Sequence, residues 1–366
     1  MIRILSPVCG ADDAAAVIGA GASEVYCGVM TQDWQKRYTN VGSPNRREWR
    51  VSSMRGYDEL EAVAAASHVR GARVFLALNA LYTAGQHGAV REQVQAAMAA
   101  GVDALIVADL GLLLALRDYG WTRDIHISTG GTSFNSETVA FYRDLGACRV
   151  ILPRQNRVRE IAAIKAAHPG FEIEAFILNR GCKNIDGFCT FHHGTNEIQR
   201  GWWWNIPKKL HADHYVLNAL KLMPRGLRDA LSRTRLISSD SACFLPYEST
   251  VVSGAGAREI AALRKNLRDN FNLFNGFDTC GACALWDFDR AGLCSVKIVG
   301  RSNPIEKKLK DVRFLKTCID RLAGGAPSRE DYSAFVRQAY ESVYGFGCNR
   351  WCYYPEEDSA LNEGEL

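Results

Sequence analysis

The chain alternates short apolar runs with longer stretches in which apolar residues recur every three or four positions. The apolar runs predict eight strands, over residues 2–7, 24–29, 73–79, 103–109, 124–128, 149–154, 172–178 and 294–299. The periodic stretches predict helices between them, over residues 12–20, 57–70, 88–100, 111–119, 136–145, 158–167 and 305–322. Most linkers are short and contain Gly or Asp, as the turns of βα units require.

Strands that are apolar along their whole length and are joined by helices predict a parallel sheet covered on both faces. Eight such units fit a closed (β/α)8 barrel of the TIM-barrel class better than an open α/β sheet. No strand is followed by a Gly-x-Gly-x-x-Gly fingerprint, which argues against a dinucleotide-binding fold.

The alternation stops after the seventh strand and resumes only at the eighth. We interpret residues 1–323 as a barrel domain with an insertion over 181–293, and residues 324–366 as a C-terminal extension with an acidic tail. The insertion is rich in cysteine and tryptophan, and its basic segment 215–235 has apolar residues at roughly helical spacing. This segment could be a lid that packs on the barrel, or a helix that docks on a membrane surface or a partner.

Composition and charge restrict the class of protein. Hydrophobic residues make up 47% of the chain and charged residues 23%, as in globular proteins, and no run is apolar enough to predict a membrane span. The N-terminus enters the first strand directly, so we expect no signal peptide and a cytoplasmic location. A net charge of +4 does not by itself indicate nucleic-acid binding.

Twelve cysteines are many for a reducing compartment, where disulfides do not persist, and their number favours metal ligation. Four lie in apolar contexts and are expected to be buried small side chains, namely Cys9, Cys148, Cys294 and Cys318. Five follow the seventh strand and are the candidate metal ligands, namely Cys182, Cys189, Cys243, Cys280 and Cys283. Loops at the carboxyl ends of barrel strands carry the active site, and four thiolates there could hold a 4Fe-4S cluster or, as the alternative, zinc.

A further pair, Cys348 and Cys352, lies near the C-terminus. It could join Cys280 and Cys283 in a second four-thiolate site, replace one of them in the first, or remain unligated.

Charged residues at strand ends supply other candidates. His126 could act as an acid or base or could be a structural residue. Arg154 and Arg301 could grip a carboxylate through their guanidinium forks or could brace the barrel rim. Further pocket candidates are Tyr26, Asn79, Asp109 and Lys297. The sequence contains no Ser/His/Asp arrangement and no His-Glu-x-x-His zinc motif.

Several segments, in one order along the chain, resemble peptidase family U32, the collagenase-like proteases. They are residues 4–7, 21–28, 103–111, 125–129, 146–154 and 172–176, the Cys182/Cys189 pair, and residues 295–301. The resemblance implies a 4Fe-4S cluster on four cysteines and oxygen-independent hydroxylation of the ubiquinone ring or of pyrimidines in RNA. It also implies prephenate as the oxygen donor.

The family pattern matches Cys182 and Cys189 to its first two cluster ligands and, by distance, Cys243 to its fourth. Where the family has its third ligand, this chain reads Arg-Gly-Trp-Trp-Trp over residues 200–204. Cys280 or Cys283 is therefore the candidate for the missing ligand, and Cys283 completes the predicted set. At the catalytic face, this chain has Gly130 where the family often has Gln and Val299 where the family has Glu. The resemblance therefore does not fix the identity of the substrate.

The leading hypothesis is a 4Fe-4S enzyme that hydroxylates a small or aromatic substrate without oxygen, or catalyses a related oxygen or sulfur transfer. The alternatives are a peptidase, as the family name suggests, and a non-catalytic cluster-carrying subunit of a heteromeric hydroxylase. The expected protein partner is a homologous U32 chain or a second copy of this one. RNA ranks below a small molecule as substrate, because the chain lacks the basic aromatic extension of the RNA-modifying members.

Overall fold

Eight parallel strands form a closed barrel in sequence order, and β8 pairs with β1 to complete the ring. This confirms the predicted (β/α)8 fold. The computed structural model describes residues 2–38, 43–47, 52–179, 181–182, 185–188, 227, 279–325, 328–345, 347–348 and 352–354. Most of the predicted insertion, with its Trp-rich and basic segments, and the acidic tail lie outside these residues.

The strands begin within one residue of their predicted starts, and most end earlier than predicted. Their bounds are β1 Arg3–Pro7, β2 Glu24–Cys27, β3 Arg73–Leu78, β4 Ala104–Val107, β5 Asp124–Ile127, β6 Arg149–Ile151, β7 Glu172–Leu178 and β8 Ser295–Ile298. The residues beyond the carboxyl ends, such as Asn79 and Arg154, belong to the βα loops, so their side chains are available at the mouth of the barrel.

Helices cover the outside of the barrel. They are α1 Ala11–Gly19, α2 Gln32–Arg37, α3 Tyr57–His68, α4 His87–Ala99, α5 Leu110–Ala115, α6 Ser136–Asp144, α7 Val158–Ala167, α8 Leu285–Ala291, α9 Ile305–Ala323 and α10 Arg329–Tyr344. The seven predicted helices are all present, although α5 is shorter than its pattern suggested. Among the described residues, no helix is both long and apolar enough to cross a membrane.

Three helices, α2, α8 and α10, were not predicted from the pattern. The longest is α10, which begins after Ser328, whose hydroxyl accepts a hydrogen bond from the Asp331 N–H. Its buried residues Tyr332, Val336 and Tyr340 repeat every four positions and form one face. This face packs on α9, where the rings of Phe314 and Tyr340 lie 5.6 Å apart. The C-terminal extension is therefore in part a helix of the barrel's outer layer.

A buried network of charges lies inside the barrel at the amino ends of the strands. Arg149 is fully buried, and its guanidinium nitrogens lie 2.7 Å from Glu24, 2.7 Å from Glu172 and 2.9 Å from Glu174. Burial of an unpaired charge is costly, so each member requires its partners. Lys297 on β8 extends the network, with its Nζ 3.1 Å from Glu174. The network joins β2, β6, β7 and β8 below the mouth.

Candidate active site at the barrel mouth

A cavity of about 170 Å3 opens at the carboxyl ends of the strands. Of the residues predicted for a pocket, Tyr26, Asn79, Arg154, Lys297 and Arg301 line it, and so does Cys182. Asp109 has another role, because its carboxylate accepts the Leu112 N–H at 2.7 Å and caps α5. The structure thus brings together residues that are far apart in sequence at the face where barrel enzymes carry their chemistry.

Arg154 joins the end of β6 to the loop that carries Cys182. Its Nη1 lies 2.8 and 2.9 Å from the two carboxylate oxygens of Asp186, and its backbone N–H donates to the same carboxylate at 3.0 Å. Burial lowers the pKa of Arg154, but attraction to Asp186 and other negative groups outweighs burial, so the pKa lies above its ordinary value. Because Nη1 of Arg154 is hydrogen-bonded to Asp186, we infer that Arg154 positions the loop that carries Cys182.

Arg301 is the more suitable residue for binding an anion. It is 6% exposed, and its Nη2 donates to the Asn45 carbonyl at 2.9 Å. Its Nη1 is buried and has no hydrogen-bond partner in the described part of the chain. Burial lowers the pKa of Arg301 from its ordinary value, because desolvation disfavours the charged form. An anionic group entering the cavity would satisfy this donor.

The position of Arg301 depends on a glycine. A Cβ added to Gly28 would lie 2.1 Å from Nη1 of Arg301 and 2.5 Å from Nδ2 of Asn45. Gly28 follows β2 directly, so the absence of a side chain there leaves the space that the guanidinium occupies.

Lys297 lies in the wall of the cavity between a carboxylate and an aromatic ring. Its Nζ donates to Glu174 at 3.1 Å and lies 4.1 Å from the centre of the Tyr26 ring. Burial lowers the pKa of Lys297, and attraction to Glu174 only partly offsets this effect. A buried lysine with a lowered pKa can exchange a proton more readily than an exposed one.

The cavity is also lined by Arg46 and Arg47, which were not predicted as pocket residues from the sequence. Five lining residues are therefore cationic and one, Asp186, is anionic. The available signal was the Arg- and Asn-rich stretch after β2. Gly130, the position where the family often has Gln, faces this loop. A Cβ there would lie 2.8 Å from the Ala108 side chain and 3.3 Å from Nη1 of Arg46.

His126 lies inside the barrel and is not among the residues that line the cavity. Its ring packs edge-on against Phe75, with 4.5 Å between the ring centres. Burial, followed by the charges of Arg149 and Arg73, holds the pKa of His126 well below its usual range. Its catalytic role stays a prediction, and the described contacts are those of a neutral interior residue.

The ligand atoms of His126, Asp124 and Cys148 lie within 4.8 Å of one another. The same cations that disfavour a charged His126 would oppose a metal ion there. Asp124 also forms a salt bridge with Arg73 at 2.5 Å. We therefore assign this group no metal.

Cys182 is placed where a metal ligand could act at the barrel mouth, because it lines the cavity together with Arg154. Its loop packs closely on the loop after β5, since a Cβ on Gly187 would lie 2.0 Å from Cγ2 of Thr132. Gly187 has a φ of +90°, as the predicted tight turn requires. The other predicted ligands of this set, Cys189 and Cys243, lie outside the described residues.

The remaining cysteines fall into two groups. Cys318 is fully buried, as predicted, while Cys9, Cys148 and Cys294 are partly buried and donate their S–H to backbone carbonyls. Cys280 lies beside the end of β7, in an antiparallel bridge with Leu178, and Cys283 follows in a short 3-10 turn. The assignment of Cys280 or Cys283 to the Cys182 set stays a prediction.

Comparisons with known proteins identify related sequences. The model of peptidase family U32 matches residues 10–200. The tRNA hydroxylation protein P of Haemophilus influenzae is 28% identical over 187 residues, which cover 51% of this chain and 38% of that protein. The protein of the same name from Escherichia coli is 37% identical over 89 residues, which cover 24% of this chain and 20% of that protein. A third relative, the Escherichia coli 23S rRNA 5-hydroxycytidine C2501 synthase, is 28% identical over 195 residues, covering 52% and 26%. The chain spans less than half the length of each of these relatives.

Proposed function

Because the chain belongs to peptidase family U32, we propose that it hydroxylates an aromatic base in RNA without using molecular oxygen. The observation that carries this proposal is the cationic cavity at the barrel mouth. Its volume of about 170 Å3 exceeds that of an engineered cavity of about 150 Å3 that holds benzene. The cavity therefore has the volume to hold one six-membered ring.

The names of the relatives support RNA as the substrate, since they describe hydroxylation of tRNA and synthesis of 5-hydroxycytidine in rRNA. RNA thus becomes the preferred substrate class, whereas the sequence analysis ranked RNA below a small molecule. The excess of arginine around the cavity suits the phosphates on either side of a target base. A base reaches an enclosed cavity only when it leaves its stack, as in other enzymes that modify bases.

The oxygen atom must come from a donor other than O2. A hydroxylated carboxylate balances the reaction: the base C–H becomes C–OH while the donor C–OH becomes C–H. The base carbon loses two electrons and the donor carbon gains them. Prephenate is the donor that the family resemblance implies, and its carboxylates match the unpartnered Nη1 of Arg301.

We assign a 4Fe-4S cluster to the loop of Cys182, with Cys189 and Cys243 as further ligands. Cys182 lines the cavity, which places a ligand on its sulfur beside the bound base. When bound, the cluster supplies one-electron redox chemistry at the cavity. Lys297 supplies a positive charge in the cavity wall beside the Tyr26 ring, and Arg154 holds the Cys182 loop against the cavity through Asp186.

The decisive experiment uses the full chain purified without oxygen. It is incubated with prephenate and with RNA from cells that lack the protein, and the nucleosides are analysed by mass spectrometry. We expect one pyrimidine to gain the mass of one oxygen atom, and Arg301→Gln to reduce this product at least tenfold. Hydroxylation of a free aromatic molecule but not of RNA would overturn the RNA assignment.

Two controls separate the alternatives. A colourless protein that contains zinc and no iron would contradict the cluster assignment. Activity that appears only after addition of a homologous second chain would support the non-catalytic subunit in place of the enzyme. The homologous partner, the homodimer and the cytoplasmic location stay proposals.

A further inference from the structure

A second group of cysteines comes together beside the end of β7. Cys280 and Cys352 form a parallel bridge, although a large part of the chain separates them in sequence. The Tyr353 N–H donates to the Cys280 carbonyl at 2.9 Å. A Cβ on Gly281 would lie 2.8 Å from the Tyr354 ring, so the two segments are in close contact.

Hydrogen bonds from two tyrosines fix this arrangement on the barrel. The Tyr354 hydroxyl donates to the Phe176 carbonyl at 2.7 Å, and the Tyr353 hydroxyl donates to the Asn179 carbonyl. Both tyrosines are buried. Segment 352–354 is therefore held against β7 independently of any metal ion.

Cys283 and Cys348 belong to the same group. Cys283 lies in the 3-10 turn Ala282–Ala284, directly after Cys280. Cys348 lies between Tyr344 and Cys352 in sequence, and the Tyr344 hydroxyl donates to Asp311, which also accepts a hydrogen bond at 2.8 Å from Asn179, directly after β7. The residues on both sides of Cys348 are thus at the end of β7, and both Cys283 and Cys348 pack against the core.

The backbone around Cys280 favours ligation. The Ala282 N–H donates to Sγ of Cys280 at 3.5 Å, and such a bond stabilises a thiolate more than a thiol. Four partly buried cysteines in a C-x2-C and a C-x3-C pair are the ligand set of a structural zinc ion or an iron–sulfur cluster. A bound metal ion replaces the four protons and removes the mutual repulsion of the thiolates.

The spacing of the sulfur atoms distinguishes the two metals. Among the described residues, no three cysteine sulfurs all lie within 4.8 Å of one another. A tetrahedral zinc ion with Zn–S bonds of about 2.3 Å would hold its sulfurs roughly 3.8 Å apart. A polynuclear cluster spans a wider set of sulfurs than one ion does, so the cysteine side chains would have to move closer together to bind one zinc ion.

We propose that Cys280, Cys283, Cys348 and Cys352 hold a second iron–sulfur cluster, separate from the one on the Cys182 loop. This site takes Cys280 and Cys283 away from the set at the barrel mouth, which keeps Cys182, Cys189 and Cys243. The two sites are neighbours, because the N–H of Gly181, next to Cys182, donates to the hydroxyl of Thr279, next to Cys280, at 3.1 Å. The second cluster joins Cys348 and Cys352 covalently to Cys280 and Cys283 beside the end of β7.

The test compares iron and sulfide content in the full chain purified without oxygen. The wild-type protein is expected to hold two clusters. The double variant Cys348→Ala/Cys352→Ala is expected to lose half of the iron of the wild-type protein. The double variant Cys182→Ala/Cys189→Ala is expected to lose the other half. Combination of the two double variants removes all of it. Cys27→Ala is the matched control, because Cys27 is buried in β2 and donates to the Phe75 carbonyl at 3.7 Å. It should keep the full content.

Three results would overturn the proposal. Loss of all iron in both double variants would mean one shared cluster. Full iron in Cys348→Ala/Cys352→Ala, or zinc in place of half of the iron, would exclude a second iron–sulfur site. If circular dichroism shows that a variant is unfolded, the number of clusters per wild-type chain decides the question. One cluster per wild-type chain would contradict the presence of two sites. RNA hydroxylation by the Cys348→Ala/Cys352→Ala protein is measured in parallel, so that failure of this proposal leaves the proposed function intact.

Discussion

Nη1 of Arg154 lies within hydrogen-bond distance of both carboxylate oxygens of Asp186, in a site where each side chain is only 11% exposed. Removal of one partner leaves a buried charge without compensation. We therefore expect Arg154→Ala to lower the free energy of unfolding by about 3–5 kcal/mol, measured by urea denaturation. Arg37→Ala breaks an exposed pair with Asp33 and should cost less than about 1 kcal/mol. Equal losses in the two variants would contradict this interpretation.

Gly28→Ala should displace the guanidinium of Arg301 and leave the barrel folded, because the added Cβ would lie 2.1 Å from Nη1. A charge-assisted hydrogen bond contributes about 1.5–3 kcal/mol, so we expect prephenate to bind at least tenfold more weakly in calorimetry. Gly88→Ala is the control, since no heavy atom lies within 4 Å of its added Cβ. Unchanged affinity in Gly28→Ala would show that Arg301 does not contact the donor.

His126 gives the protein a dependence on pH. Its pKa lies well below the usual range in the folded state, so the unfolded chain binds a proton more readily. The stability that depends on neutral His126 is present above about pH 6.5 and is lost as the pH falls below that value. We expect His126→Phe to reduce the difference in unfolding free energy between pH 8 and pH 5. The variant should also keep its activity, and a complete loss of activity in folded protein would restore the catalytic role.

The ion network at the base of the barrel predicts a large effect at Arg149. Arg149→Met leaves Glu24 and Glu174 buried without their main partner, so the free energy of unfolding should fall by at least about 3–5 kcal/mol. Arg159→Met, on an exposed position of α7, should change it by less than about 0.5 kcal/mol. Denaturant titrations of both variants at pH 7 provide the measurement, and a small loss at Arg149 would mean that water reaches the network.

The sequence predicted the barrel well because each strand and helix has its own hydrophobic period. Strand starts were correct to within one residue, while strand ends were placed too far along because apolar residues continue into the βα loops. The sequence of helix α10 also has a hydrophobic period of its own, although the helix was not predicted. Its Ser328 cap and the spacing of Tyr332, Val336 and Tyr340 could have identified it.

The site was only partly predictable. Position at a strand end identified Tyr26, Lys297 and Arg301 as cavity residues, since the fold places strand ends together. Local spacing carries no information on contacts between distant loops. The pairing of Arg154 with Asp186, and the approach of Cys352 to Cys280, depend on how the loops after β6 and β7 and the segment after α10 fold over the barrel.

The contact between Cys280 and Cys352 also orders the biosynthesis of the protein. Translation completes all eight strands before it reaches Tyr353 and Tyr354, whose hydrogen bonds lie along the end of β7. A nascent chain on the ribosome can therefore close its barrel while this side of β7 is still open to solvent. A metal site on these cysteines can therefore form only after all eight strands of the barrel have been translated.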